Sequence, residues 1–178
     1  MLYLARPMRS ATYALVRMAA LWAAVLVYLV LPILVLYVGA LLAELDLWDQ
    51  TVDAGQALLL VLLLAGMLAG VSGLISSWST RRGFAVVATI MVLLVADGVV
   101  AIVQGISSVQ DADRVGEIAG LLSPYSIYRG TMTLFDIADA SPTPPEGFMQ
   151  PTYVAVGVGV VVACLGLLIL RYRRVGNR

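Results

Sequence analysis

Residues 18–43 pass without a single charged side chain, a run of 26. Residues 54–80 repeat this over 27 positions and residues 147–170 over 24, while residues 84–110 are interrupted only by Asp97. A helix advances about 1.5 Å per residue and needs about 20 residues to cross the hydrocarbon core of a bilayer, so each run is long enough to span it. Their continuity excludes a β-barrel, whose strands are short and alternate in polarity. The sequence therefore predicts an all-α polytopic membrane protein built as a single transmembrane domain. Its four transmembrane helices cover 18–43, 54–78, 84–106 and 149–170. Composition closes off the soluble alternative, because 61% of the 178 residues are hydrophobic and only 12% are charged. The first run is too long for a signal peptide, contains Pro32 and lacks a small-residue cleavage site, so it is expected to stay as a span.

The charges give the orientation. All eleven basic residues are arginine, matched by eleven acids. Arg6, Arg9 and Arg17 precede the first span, Arg81 and Arg82 fill the turn between the second and third, and Arg171, Arg173, Arg174 and Arg178 follow the fourth. The acids crowd the opposite connections, at Glu44, Asp46, Asp49 and Asp53, and again between Asp111 and Glu146. Arginine favours the cytoplasmic side, which predicts both termini cytoplasmic, with 1–17 an amphipathic segment and 171–178 a basic tail. A prokaryotic plasma membrane is the expected location. Trp48 and Tyr153 are expected as aromatic anchors at the outer interface, and Trp22, Trp78 and Tyr172 near the inner one.

Inside the spans, small and polar residues stand out. Gly66, Ala69, Gly70 and Gly73 on the second helix, and Gly159 with Ala163, plus Gly157 and Gly166, on the fourth, are small residues that let helices approach closely. The partner of these surfaces is either internal or another subunit. Asp97 lies 13 residues beyond Phe84, about 20 Å along the helix. A carboxylate at that depth faces the bundle, a wet cavity or the outer boundary. Gln104 comes seven residues later on roughly the same face. The pair is either a contact for a substrate or ion, or a polar contact that locks helices together, unless the span ends soon after Asp97. Between the last two spans, 107–147 is an outer segment expected to carry two short helices at or dipping into the outer interface. One falls within 111–122, with Val115, Ile118, Ala119 and Leu122 on one side. The second begins after Ser123 as cap and Pro124 at the first position, with Tyr125, Tyr128, Met132 and Phe135 as its apolar stripe.

Catalytic chemistry finds little support. There is one cysteine and no histidine, which removes zinc clusters and His-based triads. Neither a Walker phosphate loop nor a dinucleotide fingerprint occurs, and Cys164 sits in an apolar run suited to packing. No intrinsic catalytic site, directly bound cofactor or metal is expected, and no nucleic acid among the partners.

The motif Leu4-Ala-Arg-Pro-Met-Arg9, with Tyr13 and Arg17 after it and then a long span, resembles the cytoplasmic segment before the third of six spans in the permeases of ABC-2 type exporters. Arg6, Pro7, Arg9, Tyr13 and Arg17 fall on that pattern position by position. The order of the remaining elements is also similar: three spans in succession with a short basic turn at Arg81-Arg82, two short outer helices, and a last span ending in arginines. The resemblance covers the last four of six spans. It has no counterpart here for the family's first two spans or for its ATPase-contacting amphipathic helix, which leaves room for a further chain supplying them or for a truncated permease. It implies a permease subunit paired with a second permease chain or a second copy, resting on an ABC-type ATPase subunit that binds ATP and magnesium. Arg6, Pro7, Arg9, Tyr13, Arg17, Arg81 and Arg82 would then be the partner-coupling residues, and membrane lipid the surrounding medium. A non-transporting accessory or scaffold subunit is the alternative. The 1–17 segment has its own second reading, a basic flank attracted to anionic lipid.

Overall fold

The computed structural model describes residues 10–43, 47–79, 81–110, 112–135 and 149–176. Among them are six α-helices: α1 (Ser10–Leu42), α2 (Leu47–Trp78), α3 (Arg82–Val109), α4 (Asp113–Gly120), α5 (Pro124–Met132) and α6 (Met149–Gly176). A 3₁₀ turn, Thr133–Phe135, extends α5. Four of these helices, α1, α2, α3 and α6, hold stretches of 28, 29, 27 and 23 residues that are long and apolar enough to cross a membrane. The chain is an integral, multi-pass membrane protein. In hydrocarbon every backbone N–H and C=O must be paired within the segment, and a helix does this whatever its side chains. That is why α1 runs unbroken through Pro32, a residue that would terminate most soluble helices.

Helix α2 occupies the centre and touches α1, α3, α5 and α6. Leu60, Val61, Leu64, Ala65, Met67 and Ala69 of α2 are buried, whereas α3 buries only Ala85 and Val100 among its apolar residues and leaves a long row from Val86 to Ile106 exposed. Such exposure is normal where the solvent is lipid, which is as apolar as leucine and gives no hydrophobic drive for helices to associate. Contact therefore depends on close fit. Gly66 lies against Val161, Gly70 against Cys164 and Met18, and Gly73 against Leu168 and Leu21. A Cβ at position 70 would stand 2.9 Å from the Cβ of Cys164, so this glycine sets how near α6 comes to α2. The register 66 to 161 and 73 to 168 makes the two helices parallel. The small-residue surface of α2 is thus an internal one.

The small residues of α6 divide differently. Gly157 packs on Leu63 and Ile127, but Gly159 has no heavy atom within 4 Å of where its Cβ would stand. Both Gly159 and Ala163 are exposed, so this pair forms no packing surface within the chain.

Polar ties close the arginine-rich end of the bundle. Arg17 Nη2 donates to Ser76 Oγ at 2.6 Å, joining α1 to α2. The Arg171 guanidinium lies 5.0 Å from the centre of the Trp78 ring, joining α6 to α2, a cation–π contact. Ser79 Oγ donates to the Arg81 carbonyl at 2.8 Å in the short turn before α3. Trp48 and Trp78 are largely exposed, as interfacial anchors should be. Trp22 is half-buried and donates from Nε1 to the Leu62 carbonyl at 3.3 Å. It is a helix-to-helix tie between α1 and α2 rather than an anchor at the inner boundary.

Candidate functional site

The third span carries Asp97, Gln104 and Ser107 on one face, and the α4–α5 hairpin folds back along it. Four contacts mark the path. The Ala112 amide donates to the Ser107 carbonyl at 3.0 Å. Gln104 Nε2 lies 3.4 Å from the Gly116 carbonyl and 3.4 Å from Ser126 Oγ. Ser123 Oγ donates to Asp97 Oδ1 at 3.1 Å. As the chain advances from 112 to 123, its partner on α3 retreats from 107 to 97. Helix α4 thus runs antiparallel to α3, and the turn at 121–123 lies level with Asp97, about 18 Å back from the end of α3 by helix rise. Helix α5 returns alongside α6, where Ile127 packs on Gly157 and Gly130 on Tyr153. The two short helices form a re-entrant hairpin that dips into the depth spanned by α3.

Polarity in this hairpin is inverted relative to a soluble amphipathic helix. Gly116, Glu117, Ala119 and Gly120 are its buried side on α4, while Val115, Ile118 and Leu122 are 56%, 56% and 69% exposed. On α5 the buried residues are Ser126, Ile127, Gly130 and Thr131; of the apolar stripe read from the sequence, Tyr125 is exposed and Tyr128, Met132 and Phe135 are half-buried. On α4 the apolar side faces outward because the surrounding solvent is hydrocarbon, and the small and polar side faces the bundle because only there can its hydrogen bonds be met.

Tyr153 holds the hairpin from beneath. It projects from α6 between Gly120 and Gly130, is 1% exposed, and its hydroxyl donates to the Glu117 carbonyl at 2.5 Å. The last four carbonyls of a helix lie beyond its own N–H ladder. In α4 those of Ile118 and Ala119 accept from the amides of Leu121 and Leu122, and that of Glu117 accepts the phenol. A side chain at either glycine would collide with the Tyr153 ring or hydroxyl. Tyr153 therefore is not the outer-interface anchor that its position near the end of a span suggested. Ser123 precedes α5 in extended backbone but makes no capping bond with its side chain, because the hydroxyl goes to Asp97 instead.

The resulting cluster joins Asp97, Gln104, Ser107, Glu117, Ser123, Ser126 and Tyr153, all but Asp97 buried. Thr131 closes its α5 side by donating to the Ile127 carbonyl. At the exposed flank Tyr125 and Tyr128 stand 6.4 Å apart with Arg129 over the Tyr125 ring. Chemically the cluster offers two carboxylates, an amide and several hydroxyls, a set suited to holding polar groups and to breaking and remaking hydrogen bonds.

Asp97 and Gln104, singled out from the sequence, are thus brought into one site. Tyr153, Ser123, Ser126 and Glu117 were not foreseen; the signal available was Gly120 and Gly130 in two helices too short to need backbone freedom. Of the proposed coupling residues, Arg6, Pro7 and Arg9 lie outside the described residues. Tyr13 and Arg82 fall in the first turns of α1 and α3, and exposed Arg81 precedes α3. No protein-family model, curated protein or solved structure matches the chain.

Proposed function

We propose that this chain is the membrane-spanning permease subunit of an ATP-driven export complex, with both termini cytoplasmic and coupled to a separate nucleotide-binding subunit. The observation that carries this reading is the α4–α5 hairpin, re-entering between the third and fourth spans and tied there by hydrogen bonds from Ser123 and Tyr153. A two-helix element at this place in the order of spans is what the resemblance to ABC-2 type permeases implies. Its hydrogen-bonded seat over Asp97 and Gln104 gives the bundle a part that can shift. The arginine-rich end, with Arg17, Arg81 and Arg171, is the face offered to the ATPase. Purification of the tagged protein in mild detergent, with mass spectrometry of every co-purifying chain, tests this. A stoichiometric ATPase with a Walker motif, lost when Arg6, Pro7 and Arg9 are replaced, supports the reading; recovery as a homo-oligomer alone overturns it.

A second reading, an accessory or scaffold subunit, is favoured by the outward-facing Gly159 and Ala163 on α6. Under it, bulky residues at those two positions disrupt association with other membrane proteins while the fold is kept. Replacement of Gly70 does not discriminate, because that glycine packs inside the chain.

A further inference from the structure

Helix α5 turns Ser126, Ile127, Gly130 and Thr131 toward the bundle. With about 3.6 residues per turn, Tyr125, Tyr128 and Arg129 fall on the opposite side. Tyr125 is 50% exposed there, and Tyr128 and Arg129 are half-buried. The Arg129 guanidinium lies 5.8 Å from the centre of the Tyr125 ring, one turn nearer the tip of the hairpin. A ring face attracts the cation but gives its five N–H groups no lone pair to bond. Among the described residues no carboxylate pairs with Arg129, and the Tyr125 and Tyr128 hydroxyls have no hydrogen-bond partner. One side of α5 thus carries a cation and two phenols whose donors are unanswered within the described chain.

Depth decides what can answer them. The tip of the hairpin lies about 18 Å below the end of α3, and Arg129 follows Ser123 by six residues, about 9 Å of rise back toward that end. The contacts on α6 agree: Ile127 packs on Gly157 and Gly130 on Tyr153, so Arg129 stands a few residues inside the start of α6 at Met149. An upright α3 span of 27 residues is about 40 Å long, roughly 10 Å more than the hydrocarbon core, so each end reaches about 5 Å beyond it. Arg129 is then about 4 Å inside the hydrocarbon boundary. Water is scarce at that depth, and a lipid phosphate is within reach of an arginine side chain. We propose that Arg129, assisted by the Tyr125 and Tyr128 hydroxyls, binds the phosphodiester of one anionic phospholipid in the leaflet that the hairpin enters. The guanidinium fork matches the two non-bridging phosphate oxygens. A choline headgroup neutralises its own phosphate, whereas an anionic one leaves that charge for Arg129.

Tyr125→Trp keeps an aromatic face under the guanidinium and makes a local reporter once Trp22, Trp48 and Trp78 are changed to Phe. The protein is reconstituted into phosphatidylcholine vesicles with rising fractions of lipid brominated in its acyl chains. Brominated phosphatidylglycerol is expected to quench the reporter at a mole fraction about fivefold below that needed with brominated phosphatidylcholine, the preference one near-surface arginine confers. Arg129→Gln should bring the two curves together. Arg114→Gln, at the exposed start of α4, should leave them apart. Coincident curves before any arginine is changed would overturn the proposal, and would mean that an acid of 136–146 already pairs with Arg129. A preference that survives Arg129→Gln, or falls equally with Arg114→Gln, would show diffuse charge and also overturn it. So would a reporter that neither lipid quenches, the result expected if protein covers this side of α5. Inorganic phosphate that abolishes the preference, where chloride of equal ionic strength does not, would make the soluble anion the ligand in place of the lipid. A second comparison keeps the native tryptophans: thermal unfolding in phosphatidylglycerol against phosphatidylcholine. There Arg129→Gln should narrow the gap between the two lipids and Arg114→Gln should not; equal effects of the two changes would again overturn the site.

Discussion

Replacing Tyr153 by phenylalanine removes one oxygen from a buried side chain and leaves the ring that Gly120 and Gly130 enclose. Hydrogen bonds between helices in a membrane are worth about 0.6 kcal/mol on average, because the separated state finds other partners. This one should lie above that average. Its acceptor is a carbonyl at the C-terminal end of α4, where the helix supplies no amide of its own, and the group is taken out of water, so about 1.5 kcal/mol is expected. Since 1.4 kcal/mol corresponds to tenfold in an equilibrium, opening of the hairpin should become about tenfold more frequent. Amide hydrogen exchange in detergent reads this directly: peptides covering 113–122 should exchange about tenfold faster in Y153F, while those from the buried middle of α2 are unchanged. A double substitution sharpens the test. The atom nearest to a Cβ at Gly120 is the Tyr153 hydroxyl, so Gly120→Ala should cost less in the phenylalanine background than in the parent. Exchange altered less than twofold in Y153F, together with additive effects of the two changes, would refute the idea that this hydroxyl seats the hairpin.

The same contacts lead to further expectations. Gly70→Ala places a methyl 2.9 Å from the Cβ of Cys164, an atom fixed to the backbone, and should cost about 1–3 kcal/mol by overpacking; thermal unfolding in detergent measures this, and Cys164→Gly in the same chain should recover part of it. Asp97→Asn keeps an oxygen to accept from Ser123 and should leave hairpin exchange nearly unchanged, whereas Asp97→Leu and Ser123→Ala should each raise it severalfold. A re-entrant hairpin also predicts an accessibility gradient in vesicles. In a Cys164→Ser background, Leu122→Cys at the turn should react with a membrane-impermeant maleimide far more slowly than Val109→Cys at the end of α3. Equal rates at the two sites would place the hairpin in water.

The four spans and the glycine surface of α2 were legible because each is a local pattern. Three uncharged runs of 24 or more residues, and a fourth broken only by Asp97, have one stable outcome in a bilayer, and Gly66, Gly70 and Gly73 share a face whatever the partner turns out to be. The partner itself was not legible, since Gly159 and Ala163 have the same spacing yet face outward while Gly157 packs inward. Tyr153 misled for a related reason: a tyrosine near the start of a span has the position of an anchor, and only the three-dimensional meeting with Gly120 and Gly130 makes it a buried strut. Ser123 before Pro124 reads as a helix cap from chain order alone, and loses that role to a carboxylate 26 residues earlier in the sequence.

The hairpin shows why apolar stripes carry so little information here. In water, Val115, Ile118 and Leu122 would define the buried side of α4, because burial removes them from the solvent that penalises them. In hydrocarbon the same three residues are indifferent to facing lipid or protein, and hydrophobicity no longer selects one orientation of the helix over another. What selects it is the small number of groups that lipid cannot satisfy: the terminal carbonyls of α4, the hydroxyls of Ser123 and Ser126, and the carboxamide of Gln104. Their partners, Tyr153, Asp97 and the Gly116 carbonyl, come from three different helices. The position of the hairpin therefore rests on a few polar contacts, each modest, together with the packing of Ile127 against Leu64, Met67 and Tyr153. Moving such an element requires these hydrogen bonds to exchange partners and Ile127 to leave its contacts with α2 and α6.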